Sequence, residues 1–193
     1  MTDSLHTVFF IGRPGCGKGT QTQLLADRTG WKTFSTGNRF KELRDEASTL
    51  GARIREDFDK GQLSPDWFAE YLFSQAMLGI RDEDGIVCEG FPRSLPQAQF
   101  AENVLSWLER PYKVIHLVVT DEEAIRRQMS RAQVEHRPDS DDEAKIRVRL
   151  DTYRTQTEPA LAYFREKGTL VEIDGSKSRE EIAAAVADVL HLA

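Results

Sequence analysis

At residues 12–20 the chain reads Gly12-Arg13-Pro14-Gly15-Cys16-Gly17-Lys18-Gly19-Thr20, directly after the apolar run Thr7-Val8-Phe9-Phe10-Ile11. This run is short, rich in β-branched and aromatic residues, and ends at a glycine, which predicts a buried parallel strand. The apolar spacing after Lys18 predicts a helix that ends near Gly30. Such a strand, turn and helix form a phosphate-binding loop, because backbone N–H groups and the lysine ammonium together attract anions.

The residue after the lysine distinguishes this loop from the general phosphate-loop pattern. That pattern places serine or threonine there, and the hydroxyl binds magnesium. Here the position is Gly19, and the hydroxyl follows one residue later on Thr20. Nucleotide switches of the GTPase type depend on that hydroxyl, so the sequence disfavours this class.

Composition indicates one well-charged globular domain. The chain has 193 residues, 39% of them hydrophobic and 30% charged, and a net charge of −6 that argues against general nucleic-acid binding. Its apolar runs are too short for a membrane span, and we expect no secretory signal. The two cysteines, Cys16 and Cys88, have neither zinc-site nor disulfide-framework spacing. We therefore expect a cytoplasmic protein.

Strand and helix patterns alternate along most of the chain, which predicts an α/β fold with a parallel sheet covered on both faces. The strands after the first are predicted at 32–34, 86–89, 114–119 and 170–173. His116 lies inside the fourth of the five apolar runs, and a hydrogen-bonded core histidine is the favoured interpretation over a catalytic one.

No strand pattern interrupts residues 38–60, which predicts a helical insertion with a break near 48–51. Ser64 is the predicted cap of the next helix, with Pro65 at its first position. The apolar spacing of that helix predicts that it buries Trp67, Phe68, Tyr71 and Leu72.

Three further segments carry residues suited to nucleotide binding: Ser35-Thr36-Gly37; Glu89-Gly90-Phe91-Pro92-Arg93 with Gln97 beyond it; and Arg127, Arg131, Arg137 and Arg149 with Asp141-Asp142 and Tyr153. With the phosphate loop, they resemble in order the adenylate kinase family of nucleoside monophosphate kinases. The resemblance implies a P-loop NTPase-type sheet of five parallel strands in the order 2-3-1-4-5. It also implies a core at 1–34, 65–130 and 143–193, a monophosphate-binding insertion at 35–64, and a short lid at 131–142 without zinc ligands.

The resemblance assigns the donor nucleotide, ATP, to the phosphate loop and to Arg127, which is expected along the adenine. Its ATP-binding set is Gly12, Pro14, Gly15, Cys16, Gly17, Lys18, Gly19, Thr20 and Arg127. The catalytic set expected around the transferred phosphate is Lys18, Arg93, Arg131, Arg137 and Arg149. Glu89 is expected to hold Mg²⁺ through a water molecule.

The resemblance also assigns the acceptor, AMP. Arg93 is expected to clamp its phosphate and Gln97 to read its base, and the set is completed by Thr36, Gly37, Lys41, Leu63 and Gly90. The chain departs from the family pattern at Asn38 and Glu89, where aspartate is usual, and at Lys41, where arginine is usual. Residues 137–142 contain an apparent one-residue insertion.

The chemistry gives an independent reason for these residue types. Phosphoryl transfer between nucleotides needs no covalent nucleophile and no general base, so positioning and charge neutralisation suffice. We expect a monomer that uses ATP, AMP and Mg²⁺ and has neither a nucleic-acid nor a membrane partner. Two alternatives stay open: a kinase for UMP, CMP or another monophosphate, disfavoured by Thr36 and Gln97, and a catalytically silent nucleotide-binding regulator, disfavoured by the arginine set.

Overall fold

A computed structural model describes residues 5–59, 63–133 and 142–192. Its sheet has five parallel strands, in the order β2-β3-β1-β4-β5. This confirms the predicted fold class and strand order. The strands are β1 (Thr7–Gly12), β2 (Lys32–Ser35), β3 (Ile86–Glu89), β4 (Tyr112–Val118) and β5 (Leu170–Asp174).

Strand β1 lies at the centre of the sheet and is buried on both faces. Phe9 pairs with Cys88 on β3 and with Val114 on β4. Phe9 packs into one hydrophobic cluster, whereas Phe10 packs into another on the opposite face. This two-sided burial explains why the strand is a continuous apolar run without polar alternation.

Helices cover both faces of the sheet. In the described ranges the α-helices are α1 (Lys18–Thr29), α2 (Thr36–Arg44), α3 (Thr49–Asp59), α4 (Asp66–Leu78), α5 (Leu95–Trp107), α6 (Asp121–Ala132), α7 (Glu143–Thr152), α8 (Glu158–Glu166) and α9 (Arg179–Val189). The cluster on one face takes residues from α4, α5 and α8, and the cluster on the other takes residues from α1, α7 and α9. Within these ranges, none of the helices is both long and apolar enough to cross a bilayer.

Two helix ends show clear capping signals. Gly30 ends α1 where the sequence predicts it, with a positive φ of 73°, and its N–H donates to the carbonyl of Ala26. Ser178 begins α9 in a capping box with Glu181, in which both reciprocal hydrogen bonds are present. Residues 36–59 are helical as predicted, in α2 and α3, but the break lies at residues 45–48, about three residues before the predicted position, because α3 already begins at residue 49.

The prediction for α4 was wrong in two respects. The residue before the helix is Pro65, not Ser64, so the helix begins one residue later than expected. Phe68 and Leu72 are buried, but Trp67 is 65% and Tyr71 53% exposed. Positions 67 and 71 lie about 100° around the helix from 68 and 72, on a different face.

A π-helical turn at Tyr153–Thr157 joins α7 to α8, which has Pro159 in its first turn. This turn brings Tyr153 to His116 on β4, whose Nε2 lies 3.0 Å from the tyrosine hydroxyl. The other ring nitrogen, Nδ1, lies 3.2 Å from Glu172 Oε1 on β5. His116 is therefore the hydrogen-bonded core histidine that the sequence favoured.

Candidate active site

One cleft of about 1070 Å³ lies at the carboxyl ends of the strands, where parallel α/β sheets bind ligands. Every described residue of the predicted ATP-binding, AMP-binding and catalytic sets lines this cleft, as does Glu89, whereas Asp142 caps α7 and is absent from the described lining. Arg137 lies outside the described residues, as does Asp141. The cleft therefore brings together the donor set, the acceptor set, Glu89 and the arginines at 93, 127, 131 and 149.

The phosphate loop runs from β1 into the N-terminus of α1. Gly17 precedes the helix in the left-handed conformation, with φ of 99° and no side-chain capping bond, so the first-turn N–H groups are not satisfied by a cap. Lys18 donates to the carbonyls of Gly12, at 2.7 Å, and Arg13, at 3.0 Å. Its ammonium thus lies over the loop, in position for an anion bound there.

Glu89 lies at the end of β3 with its carboxylate facing the phosphate loop. Ser35 Oγ donates to Glu89 Oε1 at 2.7 Å. The other oxygen, Oε2, is 3.7 Å from the point where a side chain on Gly19 would begin. This places one carboxylate beside the phosphate loop, and Ser35 fixes its direction.

The turn after β3 connects the acceptor side of the cleft to the insertion. Gly90 has φ of +76°, and a Cβ there would lie 2.7 Å from Thr36 Oγ1, so the close approach requires glycine. Thr36 Oγ1 donates to the carbonyl of Gly90 at 2.6 Å. The same carbonyl accepts from Arg93 Nε at 2.8 Å, which orients the guanidinium.

Gln97 is held at both ends of its amide. Its Oε1 accepts from the backbone N–H of Arg93 at 2.8 Å, and its Nε2 donates to Asp66 Oδ1 at 2.7 Å. Ser94 Oγ donates to the same carboxylate oxygen at 2.7 Å. Although only 2% exposed, Gln97 lines the cleft. Asp66 was not predicted from the sequence.

The rest of the acceptor set comes from the insertion. Lys41, partly buried on α2, lines the cleft with Gly37, Asn38 and Leu63. Arg44 lies one turn further along α2, and its Nε is 3.3 Å from the Asp45 carboxylate. Arg44 is absent from the described lining of the cleft.

Arg127 lies on α6, on the donor side. Its Nε is 2.5 Å from Glu123 Oε1, and its Nη1 donates to the carbonyl of Gly175 at 2.9 Å. Hydrogen bonds from Arg126, and further ones from Arg127, lower the pKa of Glu123 to about 2. Glu123 is therefore ionised at neutral pH, and its carboxylate orients the Arg127 guanidinium.

Arg149 lies on α7 and contacts α6. Its Nη1 donates to Gln128 Oε1 of α6 at 3.0 Å. Gln128 is 5% exposed, and its Cγ lies 3.0 Å from the point where a Gly15 side chain would begin. Gly15 has φ of +87° and lies in the phosphate loop, so Gln128 packs on that loop while holding Arg149.

Comparison with known proteins gives a consistent result. The family model described as adenylate kinase matches residues 10–169. The chain belongs to the adenylate kinase family. It is 37% identical over 186 residues to the adenylate kinase of Maricaulis maris, covering 95% of this chain and 97% of that protein. It is also 36% identical to the adenylate kinases of Thermus thermophilus (94% and 95% of the two chains) and Thermobifida fusca (91% and 93%).

As a member of the adenylate kinase family, the chain is a phosphotransferase that acts on nucleotides. The sequence identified its motif residues, but it did not identify the side chains that hold them. Besides Asp66 and Gln128, these include Thr157, whose Oγ1 donates to the carbonyl of Arg93 at 2.8 Å. They also include Arg13, whose Nε lies 2.8 Å from Asp121 Oδ1. Of these four residues, only Arg13 lies within a motif, so it is the only one that a sequence pattern indicates.

Proposed function

We propose that this chain catalyses the reversible transfer of a phosphoryl group from ATP to AMP, giving two ADP molecules, with Mg²⁺ as the metal. The observation that carries the proposal is the single cleft in which the phosphate loop faces the Arg93 and Gln97 acceptor pair. A glycine-rich loop alone binds one nucleotide; a second anion clamp in the same cleft supports a second one.

The cations of the cleft suit phosphoryl transfer. Lys18, Arg93, Arg131 and Arg149 all line it, and Arg137 lies in the adjoining segment outside the described residues. The acceptor phosphate is already anionic, so no base is required. Charge on the moving group is spread over its oxygens, and fixed cations aimed at that charge lower the barrier. Lys18 and the loop hold the donor phosphates in this scheme, and Arg127 lies along the donor adenine.

At the acceptor end, Arg93 clamps the AMP phosphate through a guanidinium that the Gly90 carbonyl orients. Lys41 adds a second cation from the insertion. Gln97 reads the base, while Thr36, Gly37, Leu63 and Gly90 form the remaining walls. The hydroxyl of Thr36 is tied to Gly90, so it shapes this pocket as well as lining it.

The ligand atoms available at Glu89 suit magnesium. Mg²⁺ in nucleotide sites takes one or two carboxylates, substrate phosphates and water. Glu89 supplies one carboxylate beside the loop, with Oε1 engaged by Ser35, and it would hold the ion through a water molecule. The ion would neutralise the phosphate oxygens. In the described residues no group of three or more His, Cys, Asp or Glu could hold a metal by protein ligands alone, so phosphates and water would complete the shell.

We assign the insertion at 35–64 to acceptor binding, the lid at 131–142 to closure over the phosphates, and the remainder to the core; residues 134–141 of the lid lie outside the described part of the chain. Closure would exclude water, which otherwise competes as the acceptor. A cytoplasmic monomer is consistent with two properties of the chain. Both cysteines are free and buried, as suits a reducing compartment, and the predicted ATP, AMP and catalytic sets are all drawn from one sequence.

The test is a coupled assay with ATP and Mg²⁺ against AMP, CMP, UMP and GMP in turn. AMP should give the highest kcat/KM, and chelation of the metal should abolish turnover. Lys18→Met, which removes a cation facing the phosphates, should lower kcat by roughly 100-fold or more and serves as the background control. A higher kcat/KM with UMP or CMP would show that the acceptor assignment is wrong. No turnover with any monophosphate would indicate a silent regulator.

A further inference from the structure

We propose that Asp66 locks the polarity of the Gln97 amide and thereby makes the acceptor pocket discriminate between amino and oxo bases. The inference deepens the proposed function, because it rests on the assignment of Gln97 as the base-reading residue. Asp66 is the first residue of α4, and Gln97 lies in the first turn of α5. The hydrogen bond between them therefore joins two helices through residues that are 31 positions apart in the chain.

The polarity follows from the two partners of the amide. A carboxylate accepts hydrogen bonds, and a backbone N–H donates them. The NH₂ group of Gln97 must therefore face Asp66, and its carbonyl must face the N–H of Arg93, at 2.7 and 2.8 Å. A flipped amide would set oxygen against carboxylate oxygen and N–H against N–H. It would replace two hydrogen bonds with two repulsive contacts at a buried site.

Each end of the amide keeps one further hydrogen-bonding position. The carbonyl oxygen has a second lone pair, and the NH₂ group has a second N–H. Adenine presents an amino donor at C6 and an acceptor at N1. Hypoxanthine, the base of IMP, has almost the same shape but presents an acceptor at C6 and a donor at N1. A glutamine that is free to flip satisfies either base, whereas a locked one satisfies only one of them.

The site that holds the lock is built around the carboxylate. Asp66 Oδ1 accepts from both Ser94 Oγ and Gln97 Nε2. Ser94 in turn caps α5, because its Oγ accepts from the backbone N–H of Gln97. The side chain and the backbone of Gln97 are thus held by one connected set of bonds, and the residue has little freedom other than the amide flip. Asp66 and the backbone N–H of Arg93 together oppose that flip, and Asp66 supplies the part that a substitution can remove.

The experiment compares AMP with IMP as acceptors in the wild-type chain, Asp66→Asn and Asp66→Ala. Asparagine has nearly the shape of aspartate, but its amide can donate as well as accept, so a flipped Gln97 keeps a partner at position 66 and only the backbone N–H of Arg93 opposes the flip. Alanine removes the partner altogether. Glu70→Gln is the matched control, since Glu70 is a partly buried carboxylate one turn further along α4. It makes the same charge change, and its side chain has no described contact with Gln97.

We expect the AMP-to-IMP ratio of kcat/KM to fall about tenfold in both Asp66 variants, mainly through the KM values for the monophosphates. The ratio should stay at the wild-type value in Glu70→Gln, and the KM for ATP should stay unchanged throughout. An aspartate that only stabilises the N-terminus of α4 would change Tm and leave the ratio alone.

An unchanged ratio in either Asp66 variant that folds, as judged by thermal unfolding, overturns the lock. If the wild-type chain prefers IMP to AMP, the proposed acceptor is wrong. In that case the proposed role of Asp66 still predicts that the AMP-to-IMP ratio of kcat/KM moves toward unity in the Asp66 variants. The two failures are therefore distinguishable in one set of assays.

Discussion

Lys41 places a cation at the end of the cleft that we assign to AMP. Lysine makes a point contact with phosphate, whereas arginine forks onto two oxygens. Because Lys41 lines the cleft from α2, we expect Lys41→Ala to raise the KM for AMP about tenfold, through loss of one charged contact. Lys41→Arg should lower that KM below the wild-type value. Steady-state kinetics with AMP varied at saturating ATP measure both effects.

Arg44 is the matched control for Lys41. It lies on the same helix, three residues further on, but beside Asp45 and outside the described lining of the cleft. We expect Arg44→Ala to leave the KM for AMP within about twofold of the wild-type value, as for a surface ion-pair residue. The reverse result, a normal KM in Lys41→Ala and a raised one in Arg44→Ala, would assign the phosphate contact to Arg44.

The hydrogen bond between Gln128 and Arg149 joins α6 to α7. The orientation of the Arg149 guanidinium on α7 therefore depends on a side chain of α6. Gln128→Met keeps the length and bulk of the side chain and removes the acceptor. We expect kcat to fall about tenfold with little change in the KM for either nucleotide, because a misdirected cation loses transition-state contact. Measuring kcat in both reaction directions tests this expectation.

Two further variants separate orientation from packing. Gln128→Glu keeps an acceptor for Arg149 and should restore most of kcat. Gln133→Met, at the exposed end of the same helix, should behave as wild type. If Gln128→Met lowers Tm by many degrees and Gln128→Glu rescues neither Tm nor kcat, Gln128 stabilises the fold by packing on Gly15 and does not orient the Arg149 guanidinium.

Helix α4 shows where sequence-based reasoning fails at the scale of an element. It carries apolar residues on two faces, so the sequence does not say which face meets the core. Phe68, Leu72 and Phe73 face inward, while Trp67 and Tyr71 face solvent. Helical periodicity gives the spacing of a stripe but not its direction, which depends on how the helix packs against α5.

At the scale of the whole molecule, the topology and the motif residues were predictable for the same reason. Strand and helix alternation implies a parallel sheet, and a parallel sheet collects strand ends at one edge. The pairs that orient the site were not predictable. Ser35 with Glu89, Asp66 with Gln97 and Gln128 with Arg149 are 54, 31 and 21 residues apart. Each depends on side-chain direction across elements, which no local pattern records.

His116 on β4, Glu172 on β5 and Tyr153 in the π-helical turn form a hydrogen-bonded cluster in the core. We expect this cluster to make the free energy of unfolding depend on pH. Burial lowers the pKa of His116, although the neighbouring Glu172 opposes this, and Arg13 and Arg165 add to it. The neutral ring suits its surroundings, since Glu172 can accept from Nδ1 and the Tyr153 hydroxyl can donate to Nε2. As pH falls below about 6.5, the unfolded chain binds a proton that the native chain does not yet bind.

We therefore expect the free energy of unfolding to fall with acidification from pH 7.5 to 5.5, by at most about 1.4 kcal/mol per pH unit from this group. The pKa of Glu172 is lowered by hydrogen bonds from His116 and Arg165, so its loss of stabilisation lies at more acidic pH, below this window. His116→Gln should flatten the dependence measured by urea unfolding, whereas His191→Gln, at an exposed histidine, should not. Parallel pH profiles for the wild-type chain and His116→Gln would mean that the pKa of His116 is the same in the native and unfolded chains, with Glu172 offsetting burial.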